Sequence, residues 1–343
     1  MADYTRERQI AELAVQRACL LTDKVYYSRV KGTVTKGDNS PVTIADFGAQ
    51  ALVIGAVHKA FPEDFIVGEE DAKVLRAEKD KRDSVWDLVK SAIEESRDLS
   101  DSIGVIEDTE EMLALIDRGS HEGGSVGRIW ALDPIDGTKG FLRGDQYAVC
   151  LALMVDGKVQ AGALGCPNLP VDPAIPDGEK GIMLSVERGK GATIRPLSSP
   201  SSPGTPLRMR SISSLSRASF CEGVESGHSS HSQQAAIATA LGITNPSVKM
   251  DSQAKYATIA RGVADIYLRL PVSADYEEKI WDHAVGSLIV EEAGGVVSDI
   301  HGNPLNFAVG RTLKENKGIV AATANIHKEV VNAVQNELTG SLL

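Results

Sequence analysis

The segment WALDPIDGTKG, residues 130–140, places two carboxylates around a proline at the end of an apolar run. Asp133 precedes Pro134, and the proline ring favours an extended backbone for the residue before it. Residues three apart on a regular strand face opposite sides. A Pro-Ile-Asp-Gly turn would bend the chain and direct Asp133 and Asp136 into one volume. The segment therefore predicts a site that collects divalent cations.

The next two residues add a feature suited to phosphate. Gly137 lets the backbone approach a ligand closely, and Thr138 is a good helix N-cap. A helix that starts there would present free N–H groups to the same volume. A plain proline turn between a strand and a helix would also explain Pro134 and Gly137, but not the acids on both sides.

Composition and charge limit the classes of function. The chain has 343 residues, enough for two domains or one large one, and 42% of them are hydrophobic. A net charge of −11 argues against a nucleic-acid or anionic-membrane surface. The N-terminal residues have no apolar signal core, and no run is long enough to span a bilayer. The four dispersed cysteines predict reduced thiols (Cys19, Cys150, Cys166 and Cys221). We expect a soluble cytoplasmic protein.

Periodicity predicts an α+β half followed by an α/β half, layered as sheets between helices. Predicted helices lie near residues 10–21, 43–59, within 71–127, 233–241, from 282 and 326–338. Predicted strands lie at 65–67, 128–132, 147–155, 158–165, 219–224, 266–270, 296–298 and 318–321. The Ser/Pro-rich segment 196–206 is the candidate linker between domains 1–195 and 207–343, although a mobile surface loop would have the same composition.

Several acids follow or begin these predicted elements. Glu69 follows a short strand, Asp46 lies in the first turn of a helix, and Asp282 opens another helix in Trp-Asp-His-Ala. Each has a simpler explanation: a solvated loop for Glu69, a favourable helix-dipole charge for Asp46, and an N-cap worth ~1 kcal/mol for Asp282. Their number at element ends favours one shared site.

Basic residues suggest a second anion site. Lys255 follows Ser252 in a polar segment, and Arg269 ends a predicted strand. A pair of cations beside a serine fits a phosphate group, although surface charge is the alternative. His228 and His231 lie in a polar loop, but a zinc site would need a third nitrogen or sulfur ligand, and none is nearby in sequence.

Together these motifs resemble the lithium-sensitive, magnesium-dependent phosphatase superfamily that includes inositol monophosphatase and fructose-1,6-bisphosphatase. The signature motifs are Asp-Pro-Ile-Asp-Gly-Thr at 133–138 and Trp-Asp-His-Ala at 281–284. Within the superfamily, the segments 138–143, 227–231, 251–256 and 267–271 resemble the 3′(2′),5′-bisphosphate nucleotidases, especially the fungal ones. The match spans nearly the whole chain in the same order.

The resemblance implies a role for each matching residue. It implies magnesium ligands at Glu69, Asp133, Asp136, Asp282 and the carbonyl of Ile135. It implies that Asp46 and Thr138 activate the attacking water. It implies that the amides of Gly137 and Thr138 hold the scissile phosphate. It implies substrate contacts for His228, Ser252, Lys255, Arg269 and Asp282.

The resemblance also implies the fold and the reaction. The fold would be a layered α-β-α-β-α sandwich. The enzyme would bind two or three Mg²⁺, would be inhibited by Li⁺, and would remove the 3′-phosphate from adenosine 3′,5′-bisphosphate (PAP) to give AMP. It would also convert the sulfated relative PAPS to adenosine 5′-phosphosulfate. We expect a monomer that binds a small nucleotide, without nucleic-acid or membrane partners. An inositol phosphate phosphatase and a non-catalytic nucleotide or metal sensor are the alternatives.

Overall fold

Two β-sheets and the helices that cover them form the described part of the chain. A computed structural model describes residues 2–28, 33–35, 41–224, 231–271, 273 and 275–340. None of the helices in these ranges is both long and apolar enough to cross a membrane.

The helices and strands are as follows. The helices are α1 Thr5–Ser28, α2 Ile44–Ala60, α3 Lys73–Ala77, α4 Lys79–Glu95, α5 Ser100–Ile103, α6 Thr109–Asp117, α7 Thr138–Arg143, α8 His231–Ala240, α9 Ala254–Ala260, α10 Ala284–Glu292 and α11 His327–Gly340. The strands are β1 Thr33–Thr35, β2 Pro41–Thr43, β3 Phe65–Gly68, β4 Arg128–Asp136, β5 Ala148–Val155, β6 Lys158–Pro170, β7 Lys180–Glu187, β8 Gly191–Pro196, β9 Thr205–Pro206, β10 Phe220–Glu222, β11 Val248–Lys249, β12 Ile266–Arg269, β13 Gly295–Ser298 and β14 Ile319–Thr323.

The larger sheet has seven strands in sequence order from β3 to β9. Only β3 and β4 are parallel, and each later strand pairs antiparallel with the one before it. The smaller sheet has the order β11-β10-β12-β14-β13, with parallel pairing of β10 to its two neighbours and antiparallel pairing of β14 to β12 and β13. Strands β1 and β2 form a separate antiparallel pair.

Helices cover both faces of each sheet. Helices α1 and α2 pack on one face of the larger sheet, and α10 packs between the other face and β13 of the smaller sheet. Helix α9 contacts β10, β12 and α10, while α8 and α11 pack together where α11 contacts β14. The order of layers is therefore α-β-α-β-α, which confirms the predicted sandwich.

The alternation of side chains along the strands produces these layers. In β5, Val149 and Leu151 belong to the core beneath α1 and α2, whereas Cys150 and Ala152 belong to the core beneath α10. In β14, consecutive residues likewise divide between the central core and the core beneath α11. A fully buried aliphatic side chain contributes about 1.5–3 kcal/mol, so a strand that is apolar on both faces requires a helix layer on each side.

Two connections in the larger sheet have distinctive sequences. The hairpin of β5 and β6 turns at Asp156 and Gly157, both with positive φ (49° and 73°), as this turn type requires. The Ser/Pro-rich segment connects β8 to β9, which pairs with β8 at the edge of the larger sheet. The chain therefore leaves the larger sheet after Pro206, and residues 207–219 lead to β10.

Candidate active site

A β-bulge in β4 brings the first two acids to the same face of the larger sheet. The strand continues through Asp136, whereas the sequence predicted its end at Leu132. Asp133 lies opposite Cys150 and Asp136 lies opposite Ala148, so three steps along β4 match two along β5. The extra residue shifts the alternation by one. The bulge, and not the predicted turn, therefore directs Asp133 and Asp136 to the same side.

The third acid comes from the other half of the chain. Asp282 ends a short 3₁₀ turn, Ile280–Asp282, directly before α10. One carboxylate oxygen from each of Asp133, Asp136 and Asp282 lies within 4.8 Å of the others. The N-cap position of α10 is occupied by His283, so the alternative that Asp282 serves as an N-cap is wrong. Asp282 instead faces the two acids of β4.

Two further acids lie close to this cluster. Glu69 directly follows β3, the parallel neighbour of β4. Asp46 lies in the first turn of α2, as predicted, and is only 1% exposed. Burial raises the pKa of Asp133 well above its usual range, and the charges of Glu69, Asp136, Asp282 and Asp46 raise it further. The charges of the other four predicted acids therefore all influence Asp133.

The electrostatics of the acid cluster favour a cation. Burial raises the pKa of Asp136 to about 6, against the opposing charges of Lys255 and Arg269. Burial and the charge of Asp136 raise the pKa of Asp282 to about 7. Within the described part of the chain, Oδ1 of Asp133 is buried without a hydrogen-bond donor. A buried carboxylate oxygen without a partner is costly. Carboxylates are the hard oxygen ligands that Mg²⁺ prefers, so this donor set fits a divalent cation.

The residues after the bulge form a tight connection into α7. The N-cap is Gly137, with a left-handed φ of 88°, and Thr138 is the first helical residue, so the prediction of Thr138 as the N-cap is wrong. The Thr138 hydroxyl donates to the carbonyl oxygen of Ile135 at 3.3 Å. A Cβ at position 137 would lie 2.9 Å from Cβ of Ser252. Glycine is required here by both its φ and the close approach of Ser252.

The segment from Ser252 to Lys255 lies directly against the acid cluster. The backbone N–H of Gln253 donates to Oδ2 of Asp136 at 2.5 Å. The Gln253 side chain donates to the carbonyl of Trp281 at 2.8 Å and accepts from the N–H of Gly286 at 3.0 Å. Gln253 thus links Asp136 to Trp281, directly before Asp282, and to Gly286 in α10. Nothing in the sequence distinguished this glutamine from a surface residue.

Two cations lie near the carboxylates. Lys255 is only 8% exposed, and its Nζ lies 5.3 Å from the ring centroid of Tyr267. Burial lowers the pKa of Lys255, and the charge of Asp136 opposes that shift. Arg269 ends β12, and its positive charge lowers the pKa of both Asp136 and Asp282. The structure therefore places the predicted anion-binding cations beside the acid cluster.

A buried polar network holds Arg269. Its Nε donates to Oε1 of Glu278 at 2.7 Å, and Oε2 of Glu278 lies 3.1 Å from Nε2 of His283. The other ring nitrogen of His283 lies 2.8 Å from the hydroxyl of Tyr256. We did not predict this network, because Glu278 stands in an acidic run, Asp275 to Glu278, typical of a solvated loop. Its only sequence signal is its position four residues before Asp282.

The predicted site residues differ in how far the structure describes them. His228, one half of the candidate zinc pair, lies outside the described residues, and the side chain of His231, the other half, is not described. The carbonyl of Ile135 lies between the two β4 acids and accepts from Thr138. The expected link between Asp46 and Thr138 stays a prediction.

Comparisons with known proteins cover nearly the whole chain. The family model described as "Inositol monophosphatase family" matches residues 3–339. A protein of Emericella nidulans named 3′(2′),5′-bisphosphate nucleotidase is 55% identical over 98% of this chain and 99% of its own length. A protein of the same name from Schizosaccharomyces pombe is 51% identical, over 96% of this chain and 95% of that protein.

Solved structures show the same fold at lower identity. The IMPase of Thermotoga maritima has a TM-score of 0.61 at 21% identity, over 95% of this chain and 96% of that one. SuhB of Mycobacterium tuberculosis has a TM-score of 0.59 at 20% identity, over 98% of both chains.

Proposed function

This chain belongs to the inositol monophosphatase family, and we propose that it is a 3′(2′),5′-bisphosphate nucleotidase. It hydrolyses the 3′-phosphate of PAP to give AMP, and that of PAPS to give adenosine 5′-phosphosulfate. The substrate is supported by the two fungal relatives that bear this name and match almost the whole chain.

One observation carries the proposal. A cluster of three carboxylates, with oxygens within 4.8 Å of one another, lies beside the two cations Lys255 and Arg269, whose charges act on Asp136. A substrate with two phosphates needs one site that cleaves and one that only binds. The acid cluster suits the first role and the cation pair suits the second.

The metal ligands we propose are Glu69, Asp133, Asp136, Asp282 and the carbonyl of Ile135, which together would hold two or three Mg²⁺. The buried oxygen of Asp133 that no described residue satisfies supports this assignment. When bound, the ions supply positive charge that offsets the charge of the phosphate and makes water easier to deprotonate. We expect Li⁺ to inhibit by competing for one of these positions.

The remaining steps belong to the side chains. Asp46, oriented by Thr138, accepts a proton from the attacking water at its carboxylate. The water oxygen forms a bond to phosphorus in line with the P–O3′ bond, which breaks. The 3′-oxygen takes up a proton and leaves as the hydroxyl of AMP. The backbone N–H groups of Gly137 and Thr138 hold the phosphate oxygens during transfer.

The rest of the substrate is bound beside the acid cluster. Lys255 and Arg269 hold the 5′-phosphate, and Ser252, Asp282 and His228 contact the nucleotide. The close contact of Ser252 with Gly137 supports a continuous surface from the cleaved phosphate to the bound one.

A substrate comparison tests the proposal. Phosphate release would be measured from PAP, inositol 1-phosphate and fructose 1,6-bisphosphate, with Mg²⁺, and again with added Li⁺. We expect PAP to have the highest kcat/KM and millimolar or lower Li⁺ to inhibit. Faster hydrolysis of inositol 1-phosphate would assign the chain to inositol phosphates instead. Calorimetric binding of PAP without phosphate release would favour a sensor.

A further inference from the structure

Arg311 lies on a short segment that pairs with the chain leading to Asp282. The carbonyl of Arg311 accepts from the N–H of Ile280 at 3.1 Å, and the N–H of Leu313 donates to the carbonyl of Glu278 at 2.8 Å. These two hydrogen bonds form a strand-like pairing that ends two residues before Asp282. The backbone of Arg311 is therefore fixed relative to the acid from the second half of the chain.

The side chain of Arg311 reaches the first half of the chain. Its Nη2 donates to the carbonyl of Gly68 at 2.6 Å, and Nη1 donates to the carbonyls of His121 and Gly119 at 2.8 and 3.3 Å. Gly68 directly precedes Glu69, a proposed metal ligand. One guanidinium group thus binds three carbonyls around the end of β3.

The same guanidinium also contacts the residue before Asp282. Its central carbon lies 4.9 Å from the ring centroid of Trp281, within the range of a cation–π contact. Burial lowers the pKa of Arg311, while the charges of Glu122 and Glu69 oppose that shift. Arg311 therefore interacts with the neighbours of two proposed ligands, one from each half.

The backbone around Arg311 leaves little room for movement. A Cβ at position 123 would lie 2.6 Å from the carbonyl oxygen of Gly310, and both glycines have positive φ, 75° and 127°. The loop that contains His121 is therefore packed directly against the segment that contains Arg311. Close packing of two such loops holds the guanidinium at a fixed place.

We infer that Arg311 is a positioning residue that fixes the separation between Glu69 and Asp282 and so prepares the acid cluster to bind divalent cations. The inference rests on the metal site of the proposed function. Carboxylates that repel one another push their segments apart when no cation is bound. Arg311 opposes that movement, because its forked donors and planar face bind both segments at once.

Equilibrium binding of Mn²⁺, measured without substrate by the electron paramagnetic resonance signal of the free ion, tests this role. We expect Arg311→Met to weaken Mn²⁺ binding about 10- to 100-fold, the usual cost of losing a partner that orients metal ligands. Arg311→Lys keeps the charge but loses the forked donors of the guanidinium, so we expect a smaller but measurable loss of Mn²⁺ affinity. If the methionine variant does not fold, the lysine variant decides, and unchanged binding by it would overturn the inference.

Arg261 provides a matched control. It also binds two backbone carbonyls, those of Pro170 and Val171, at 2.9 and 3.4 Å, but not those beside the proposed ligands. We expect Arg261→Met to lower the melting temperature while Mn²⁺ affinity stays within about twofold, a change far below that expected for an orienting partner.

The outcomes separate this inference from the proposed function. Equal Mn²⁺ affinity in the wild type and in folded Arg311→Met would overturn the inference alone. A wild-type chain that binds no Mn²⁺ would overturn both the metal site and the inference. Binding that depends on Arg311, in a chain that releases no phosphate from PAP, would support the inference and contradict the nucleotidase.

Discussion

Two acids four residues apart, Glu278 and Asp282, have pKa values shifted in opposite directions. Burial by itself would raise the pKa of Glu278, but Arg269 and His283 outweigh burial and lower it to about 2. Burial and the charge of Asp136 instead raise the pKa of Asp282 to about 7, even though Arg269 and His283 act against the shift. Both side chains are largely buried, so burial alone does not explain the difference.

The difference lies in the partners that the protein provides. Glu278 has hydrogen bonds to Arg269 and His283, and the three side chains form a closed network that stabilises the fold. Asp282 faces two other carboxylates, and within the described residues the nearby Asp133 has an oxygen without a donor. A closed network favours structure, whereas a group of acids short of positive charge favours a ligand that brings it.

Removal of a proposed ligand should have the largest effect. We expect Asp133→Asn and Asp282→Asn to lower kcat by more than the roughly 10- to 100-fold typical of lost outer-shell partners. Circular dichroism should show an unchanged fold, because an amide fits the same space without adding charge. Phosphate release at the wild-type rate by either purified variant would remove that acid from the metal site.

Neutralising Glu278 and neutralising Asp282 should change the free energy of unfolding in opposite directions. In EDTA at pH 7.5, Glu278→Gln should lower the free energy of unfolding by about 3–5 kcal/mol, because it breaks a buried pair and leaves Arg269 without its carboxylate. Asp282→Asn should raise it by on the order of 1 kcal/mol, since one pKa unit corresponds to about 1.4 kcal/mol. Urea unfolding measures both values. If both variants changed the free energy of unfolding in the same direction, the proposed difference between the two acids would be wrong.

The pH dependence of the metal-free protein should follow the acid cluster. The folded-state pKa of Asp282, about 7, exceeds its ordinary value of 3.8, so the folded state binds the proton more tightly. Stability should therefore fall as the pH rises between these two values, by about 1.4 kcal/mol per pKa unit for one isolated group. Urea midpoints at pH 5, 6 and 7 in EDTA measure the slope. Asp282→Asn should have a shallower slope, and an equal slope would exclude Asp282 as its source.

The smallest effect should distinguish the two phosphate sites. Lys255→Met should raise the KM for PAP about tenfold, equivalent to about 1.4 kcal/mol of lost binding, while the KM for inositol 1-phosphate stays unchanged. The fold should persist, because the variant buries no charge. Lys90→Met, on α4, is the control, since Lys90 is exposed and pairs with Asp87. An equal rise in KM for both substrates would remove Lys255 from the 5′-phosphate site.

Sequence reasoning predicted the fold class and the motifs better than their local geometry. The positions of α2, β3 and β12 were predicted from apolar residues at helical spacing in α2 and from short apolar runs in β3 and β12. The acids at 133 and 136 were predicted to meet through a turn, yet a bulge in β4 brings them together. Strands β7 and β8 were missed: β7 is buried on both faces and shows no alternation, and the short β8 has an irregular pattern of burial.

The sequence by itself determined which side chains could perform phosphate chemistry, because acids, glycine and proline in fixed order restrict the local backbone and the ligands it can offer. Only the tertiary structure decided which of these groups have hydrogen-bond and charge partners within the protein. Glu278 and Gln253 are ordinary polar residues in the sequence, and their partners lie on other elements of the fold. Pairing, burial and charge compensation depend on contacts between segments far apart in the chain, and no local pattern records them.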